Sequence, residues 1–269
     1  MNRSVRVLVG LVVLAVMMSA AGCTKLKARD QLNKGVQSFK NQKYEEAIEH
    51  FKNAIAYDPT LLNARLYLAT AYAQQYIPGA DTPENIAMAN LAIDEYKKVL
   101  VDDPKNMGSI KGIAYLLLQM KKFDDAKDYY KKAISMDPND PEMYYSVAVI
   151  DWTQTYQPRM EIRAKLGLAP TASLTDKKAC AEVKEKNADK AEEGIKMLDQ
   201  ALKLRPDYDD AAAYMNLMYR ERADYECEDK DARAADLKTA DEWVDKTMSI
   251  KKAKAEKAGP TGIVLDENK

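Results

Sequence analysis

Beyond residue 22, the apolar positions of this chain recur at the spacing of helical faces, without the alternation that marks a strand. Residues 107–140 show the pattern clearly, because Ala114, Ala126, Tyr130 and Ala133 fall on the apolar faces of two successive amphipathic stretches. A proline follows several such stretches, and proline ends a helix because it lacks an amide hydrogen. The pattern therefore predicts an all-α protein made of consecutive helices.

The dipeptides that close these helices recur at related intervals. They are Asp58-Pro59, Asp103-Pro104, Asp137-Pro138 and Arg205-Pro206. Their prolines lie 45, 34 and 68 residues apart, and 34 residues is the length of the tetratricopeptide repeat. The chain resembles this family most closely over 28–61 and 107–140, where a small residue, an Ala-x3-aromatic step and a closing proline occur in order. The matching residues are Gly35, Tyr44, Ala47, Phe51 and Ala54 in the first segment, and Ala114, Phe123, Ala126, Tyr130 and Ala133 in the second.

The resemblance implies a tetratricopeptide α-solenoid, a right-handed superhelix of about five helix-turn-helix repeats over residues 28–258. The repeats are expected at 28–61, 62–106, 107–140, 141–208 and 209–256, followed by a loose tail at 259–269. The second and fourth repeats are longer than 34 residues by insertions expected at about 75–85 and 157–185. The longer insertion is either a loop with short helical pieces or a degenerate extra repeat. Pro158, Gly167 and Pro170 favour the loop.

Residues 1–22 are typical of an export signal and not of a folded element. Arg3 and Arg6 precede an apolar run from Val7 to Met18, which is shorter than the roughly 20 residues of a membrane-spanning helix. The small residues that follow, up to Cys23, resemble a bacterial lipobox. That resemblance implies cleavage before Cys23 and a diacylglycerol on its sulfur.

A lipid on Cys23 would place the protein in the bacterial cell envelope, on the periplasmic side. In enterobacterial sorting, an aspartate directly after the lipidated cysteine keeps a lipoprotein out of the outer membrane. Thr24 occupies that position and therefore implies the outer membrane. Residues 23–27 then form a short tether to the first helix. An ordinary secretory signal and an uncleaved anchor remain alternatives.

Composition narrows the function. The chain has 269 residues, with 41 Lys and Arg against 42 Asp and Glu, and this balance argues against a nucleic-acid partner. A single histidine, His50, leaves little for a metal site or a histidine-based catalytic group. The carboxylates of Asp124-Asp125 and of the group from Asp207 to Asp210 lie at the starts of predicted helices, where they interact favourably with the helix dipole. No enzyme activity, metal site or cofactor is therefore expected.

Two cysteines remain if Cys23 carries a lipid. An exported protein keeps cysteines oxidised, so Cys180 and Cys227 are expected to form a disulfide that fastens the long insertion to the fifth repeat. The alternative is two separate thiols.

The tetratricopeptide family binds peptides along the first helix of each repeat, and the resemblance therefore places a protein-binding groove on those helices. The groove positions are Lys111, Tyr115, Leu118, Tyr145, Val149, Trp152 and Arg220. Exposed aromatic side chains of this kind anchor partners. The same residues could instead be core, covered by the segment 157–185.

These observations favour a non-enzymatic scaffold, tethered to a membrane, that binds an unknown protein or peptide partner and takes part in assembling envelope complexes. Two alternatives remain open. One is a structural protein that associates with itself and has no foreign ligand. The other is a regulatory subunit of an envelope enzyme.

Overall fold

The computed structural model describes residues 23–169 and 172–258, and every regular element within those ranges is an α-helix. The helices are α1 (residues 23–40), α2 (Tyr44–Tyr57), α3 (Leu62–Gln75), α4 (Pro83–Asp102), α5 (Met107–Gln119), α6 (Phe123–Met136), α7 (Pro141–Lys165), α8 (Lys177–Leu204), α9 (Asp209–Tyr225) and α10 (Lys230–Ala258). The predicted all-α class is confirmed. The predicted leader at 1–22 and tail at 259–269 lie outside these ranges.

The helices divide into two compact units, of which unit 1 ends at Tyr129 and unit 2 begins at Tyr130. In unit 1, neighbouring helices pack as successive antiparallel hairpins, with α2 against α3, α3 against α4 and α4 against α5. Small residues permit the close approach. Gly35 of α1 lies so near the buried ring of Phe51 that an added Cβ would stand 2.5 Å from Cε1.

The expected tether at 23–27 is helical, because α1 already begins at residue 23. Ala28 is fully buried one turn later. The described chain therefore has no extended linker between Cys23 and the first helix.

The insertion predicted at about 75–85 is an ordered loop between α3 and α4. Thr82 caps α4 by accepting a hydrogen bond from the backbone N–H of Asn85, and Pro83 occupies the first turn, where proline is well tolerated. The amide of Asn85 then fixes the loop, since it donates to the carbonyls of Ile77 and Ala80 at 2.8 and 2.7 Å and accepts from the N–H of Ile77 at 2.7 Å.

Replacing Gly112 by Ala is expected to destabilise unit 1 by about 1–3 kcal/mol, the usual cost of overpacking. The new Cβ would stand 2.6 Å from Cζ of Tyr96. That ring cannot easily move, because it is buried and its hydroxyl lies 3.1 Å from the hydroxyl of Thr70. Urea unfolding followed by circular dichroism, with hydrogen exchange over 62–119, measures the effect.

Gly108 of the same helix provides the control. A Cβ there would meet its nearest atom at 3.5 Å, an ordinary contact, so Gly108→Ala should stabilise by up to about 1 kcal/mol through helix propensity. Equal effects at the two glycines would contradict the packing argument.

In unit 2, α7 and α8 form a long hairpin, and the expectation of short helical pieces at 157–185 is wrong. Helix α7 runs through Pro158 to Lys165, and α8 already begins at Lys177. Pro158 gives up one backbone hydrogen bond, and the packing of α7 along α8 compensates for that loss. The described residues of the expected insertion, 157–169 and 172–185, are therefore the end of this hairpin, and we call them the hairpin extension.

The hairpin extension has an apolar cluster of its own. The main cluster of unit 2 joins α7, α8 and α9 through buried residues that include Ala148, Leu198 and Met218. The second cluster consists of Ile162, Leu174, Ala179, Val183, Ala191 and Tyr225. The hairpin extension thus packs on itself and on the end of α9.

Candidate protein-binding surface

A row of aromatic rings lies where α7 contacts α9 in unit 2. The ring of Tyr214 from α9 meets Tyr145 and Trp152 of α7 edge-on, with centroids 5.5 Å apart in both pairs. Trp152 also lies 5.0 Å from the half-exposed ring of Tyr156. We call these four residues the aromatic face.

The aromatic face is partly core and partly surface. Tyr145, Trp152 and Tyr214 pack against the main apolar cluster while each keeps part of its side chain exposed. Burial raises the pKa of Tyr145 well above its usual range, with smaller contributions from Tyr214 and Asp210, so the phenol stays neutral. The hairpin extension packs in its own cluster. The exposed edges of the aromatic face therefore remain available for contact.

The other predicted groove positions differ in their exposure and in the contacts that they already make. Val149 of α7 is half-buried beside the aromatic face. In unit 1, Tyr115 of α5 is half-exposed, while Leu118 and Lys111 are half-buried. The guanidinium of Arg220 donates to Asn216 at 2.8 Å and to Asp241 of α10 at 2.6 Å. Arg220 therefore fastens α9 to α10, and its charge is already paired.

Sequence reasoning missed Tyr214 and Tyr156. Tyr214 follows by one residue the position of α9 that aligns with Tyr145 in the repeat register, so strict register counting passes over it. Tyr156 stands four residues after Trp152, one helical turn along the same face. That spacing was the available signal.

A buried cluster of charges, also missed, joins the hairpin extension to α9. Asp224 accepts hydrogen bonds from Arg159 at 3.0 Å and from Arg163 at 2.8 Å, and Arg159 also lies 3.1 Å from Glu221. Arg163 is 1% exposed and also donates to the loop carbonyls of Ala169 and Ala172. The cluster therefore holds the loop after α7 in place.

The free energy of unfolding of unit 2 is expected to fall as pH rises from about 5 to 8. The loss that the titration of Glu221 alone causes is on the order of 2–3 kcal/mol. Burial raises the pKa of Glu221 to about 7 from 4.5, an effect that Asp224 reinforces and that Arg159 and Arg163 oppose. The folded state therefore binds the proton more tightly than the unfolded state between these values. The stabilisation is complete below the lower pKa and is lost as pH passes the higher one.

Urea unfolding at pH 5 and pH 8, followed by tryptophan fluorescence, measures this dependence, because both tryptophans, Trp152 and Trp243, lie in unit 2. Glu221→Gln should flatten the difference. Glu226, whose pKa burial and Asp236 also raise to about 7, makes Glu226→Gln the necessary companion variant. An unchanged pH dependence in Glu221→Gln would refute the assignment.

Two of the cysteines lie where the hairpin extension meets the loop after α9. Cys180 of α8 and Cys227, in the loop after α9, are placed as a disulfide pair with their Cα atoms 6.2 Å apart. Cys23 is free and exposed at the start of α1. The geometry therefore permits both the expected bridge and a modification of Cys23.

Comparison with known families settles the type of repeat. A tetratricopeptide repeat model matches residues 110–140, within the predicted third repeat, and a TPR repeat model matches residues 37–75. The chain is a tetratricopeptide repeat protein. A search of curated protein sequences gives no significant match.

Solved structures of tetratricopeptide repeat (TPR) proteins have the same fold. A crystal structure of MamA protein matches with a TM-score of 0.58 at 14% identity, over 86% of this chain and 94% of that one. MamA from Desulfovibrio magneticus RS-1, residue 41 to the end, gives 0.57 at 17% identity, over 84% and 96%. YrrB, described as a TPR protein with an unusual peptide-binding site, gives 0.53 at 14% identity, over 82% and 85%. At these identities the likeness shows the fold alone.

The TPR fold makes this chain a scaffold for protein–protein interaction, a role that is generally not catalytic. Over residues 23–169 and 172–258, no group of three or more His, Cys, Asp and Glu side chains is arranged to hold a metal ion. Among the helices of those ranges, none combines the length and the apolar character needed to cross a membrane.

Proposed function

We propose that this TPR protein is a lipid-anchored scaffold on the periplasmic side of the bacterial envelope, held in the outer membrane, where it binds another protein during assembly of an envelope complex. The aromatic face carries the binding part of the proposal. Four rings lie along two adjacent helices and each side chain is partly exposed, and aromatic side chains of this kind dominate the energetics of recognition.

The N-terminal sequence supports the anchor. Arg3 and Arg6, the apolar run and the small residues before Cys23 follow the order of a lipoprotein signal. Cys23 is exposed, so an enzyme could reach its thiol. Two or three acyl chains hold a protein on a membrane stably, whereas a single chain does not.

Labelling tests the anchor. Cells that express the chain are grown with an alkyne fatty acid, and the protein is isolated with and without the substitution Cys23→Ser. We expect label on the unmodified chain and none on the variant, together with recovery in the outer-membrane fraction. Label-free protein in the soluble periplasm would instead favour an ordinary secretory signal.

Crosslinking in intact cells tests the binding surface. A photoreactive amino acid is placed at Tyr156 and, as the matched control, at the exposed Lys203 of α8. We expect a specific adduct from the first position and none from the second, and loss of that adduct when Trp152→Ala is added. An adduct with a second copy of the chain would support the self-associating alternative, and an adduct with an envelope enzyme would support the regulatory one.

The same variant decides between groove and core. If Trp152→Ala strongly lowers stability but leaves the adduct unchanged, the aromatic face is core. Its role in binding would then be rejected.

A further inference from the structure

The first turns of α1 have one face turned away from the rest of unit 1. Ala28 is fully buried, and successive residues of a helix are rotated by about 100°. Leu26 therefore lies about 200° from Ala28, on the opposite side, and is 71% exposed. Cys23 stands three residues earlier and shares this outer face.

Basic side chains border that face. Lys27 and Arg29, one residue on either side of Ala28, project to its two flanks, and both are exposed. Lys25 is exposed as well. Of the nearby acids, Asp30 pairs with Lys34 at 2.8 Å, whereas Asp58, which accepts a hydrogen bond from the hydroxyl of Thr60 at 2.6 Å, keeps its negative charge and offsets only one of the three basic residues. The surface is therefore an exposed leucine within a net positive rim.

We infer that this face, comprising Cys23, Leu26, Lys27 and Arg29, lies on an anionic phospholipid bilayer. The inference rests on the proposed lipid anchor, because the acyl chains on Cys23 would enter the membrane from the same side of the helix. Since α1 starts at residue 23 without a linker, the lipid holds Leu26 within one helical turn of the bilayer. Basic residues beside an apolar side chain are the pattern of interfacial helices.

The contact fixes how unit 1 is presented. A lipidated protein with an extended tether samples many orientations. Here the outer face of α1 would rest on the membrane, and α2, which packs on its inner side through Phe51 and Gly35, would face away from it.

A thiol-directed label tests this inference. Cys23 carries the lipid and Cys180 pairs with Cys227, so Leu26→Cys introduces a single reactive thiol. The matched control is Val101→Cys in α4, where valine is 79% exposed in the same unit. Each lipidated protein is labelled with a polarity-sensitive fluorophore and bound to vesicles of phosphatidylcholine that contain phosphatidylglycerol and a nitroxide lipid as quencher.

We expect quenching at position 26 and none at position 101. Reversing the rim with Lys27→Glu and Arg29→Glu should lower the quenching at position 26 at least about twofold, since each basic residue adds to the attraction of an anionic surface. Equal signals at the two positions, or no response to the charge reversal, would overturn the inference.

Failure of the anchor is recognised separately. If the mass of the N-terminal peptide shows no lipid on Cys23, the proposed anchor is wrong whatever the fluorophores report. If the lipid is present and position 26 stays in water, the anchor stands and only the membrane contact of α1 is rejected.

Discussion

Replacing Asp224 by Asn is expected to lower the free energy of unfolding of unit 2 by about 3–5 kcal/mol, the cost of leaving a buried charge without its partner. Asp224 accepts from both Arg159 and Arg163, and the Arg163 side chain is 1% exposed. An amide at position 224 keeps the size of the side chain and removes the charge. Glu221 would remain near Arg159, and its pKa would fall without the Asp224 charge that helps to raise it, so Glu221 could supply only part of the missing negative charge. Two guanidinium groups would then share too little negative charge.

The control is a pair of the same type at the surface. Lys203 and Asp199 of α8 are 2.6 Å apart with side chains 65% and 51% exposed, and Asp199→Asn should cost no more than about 1 kcal/mol. Urea unfolding followed by tryptophan fluorescence measures both variants. Similar losses at Asp199 and Asp224 would show that burial does not govern the cost.

The helices and their ends were predictable because local chemistry determines them. Thr82 caps α4 through its own hydroxyl, and Pro83 fits the first turn of that helix. The recurring prolines mark the ends of the repeats. The course of α7 was not predictable in the same way. Pro158 disfavours a helix locally, and only packing against α8, far along the chain, compensates for the lost hydrogen bond.

The candidate site was predictable in part. The repeat register selects Tyr145 and Trp152, which the structure brings together. It could not supply the ring of Tyr214 that joins them, nor the partial burial that depends on how α7 and α9 approach each other. Of the buried charges, only Arg159 and Arg163 form a recognisable pattern in the sequence, because they lie one helical turn apart. Their partner Asp224 is more than 60 residues away, so the cluster could not be predicted from local sequence.

The signal and the lipid are a different case. Residues 1–22 lie outside the described ranges, and the structure bears on the anchor only through the exposure of Cys23. Membrane attachment therefore stays a prediction, which the fatty-acid labelling of Cys23 tests.

Replacing both Cys180 and Cys227 by Ser is expected to destabilise unit 2 by about 2–4 kcal/mol. The bridge spans 47 residues, and loss of chain entropy on closing a loop of this length gives about 4 kcal/mol as the upper value. The hairpin extension is expected to depend on the bridge because its apolar cluster is small, and the buried charges are its other main link to α9. The urea midpoint read by tryptophan fluorescence, without reductant, measures the loss.

Reductant distinguishes loss of the bridge from loss of packing by the two side chains. Dithiothreitol should shift the urea midpoint of the unsubstituted protein towards that of the double variant, because both then lack the crosslink, and it should leave the double variant unchanged. Hydrogen exchange should rise over the loop after α7, which Arg163 and the apolar packing of Leu174 would then hold to α9. If the unsubstituted protein shows two titratable thiols before reduction and no shift after it, the cysteines are separate. The buried charges would then be the main link between the hairpin extension and the fifth repeat.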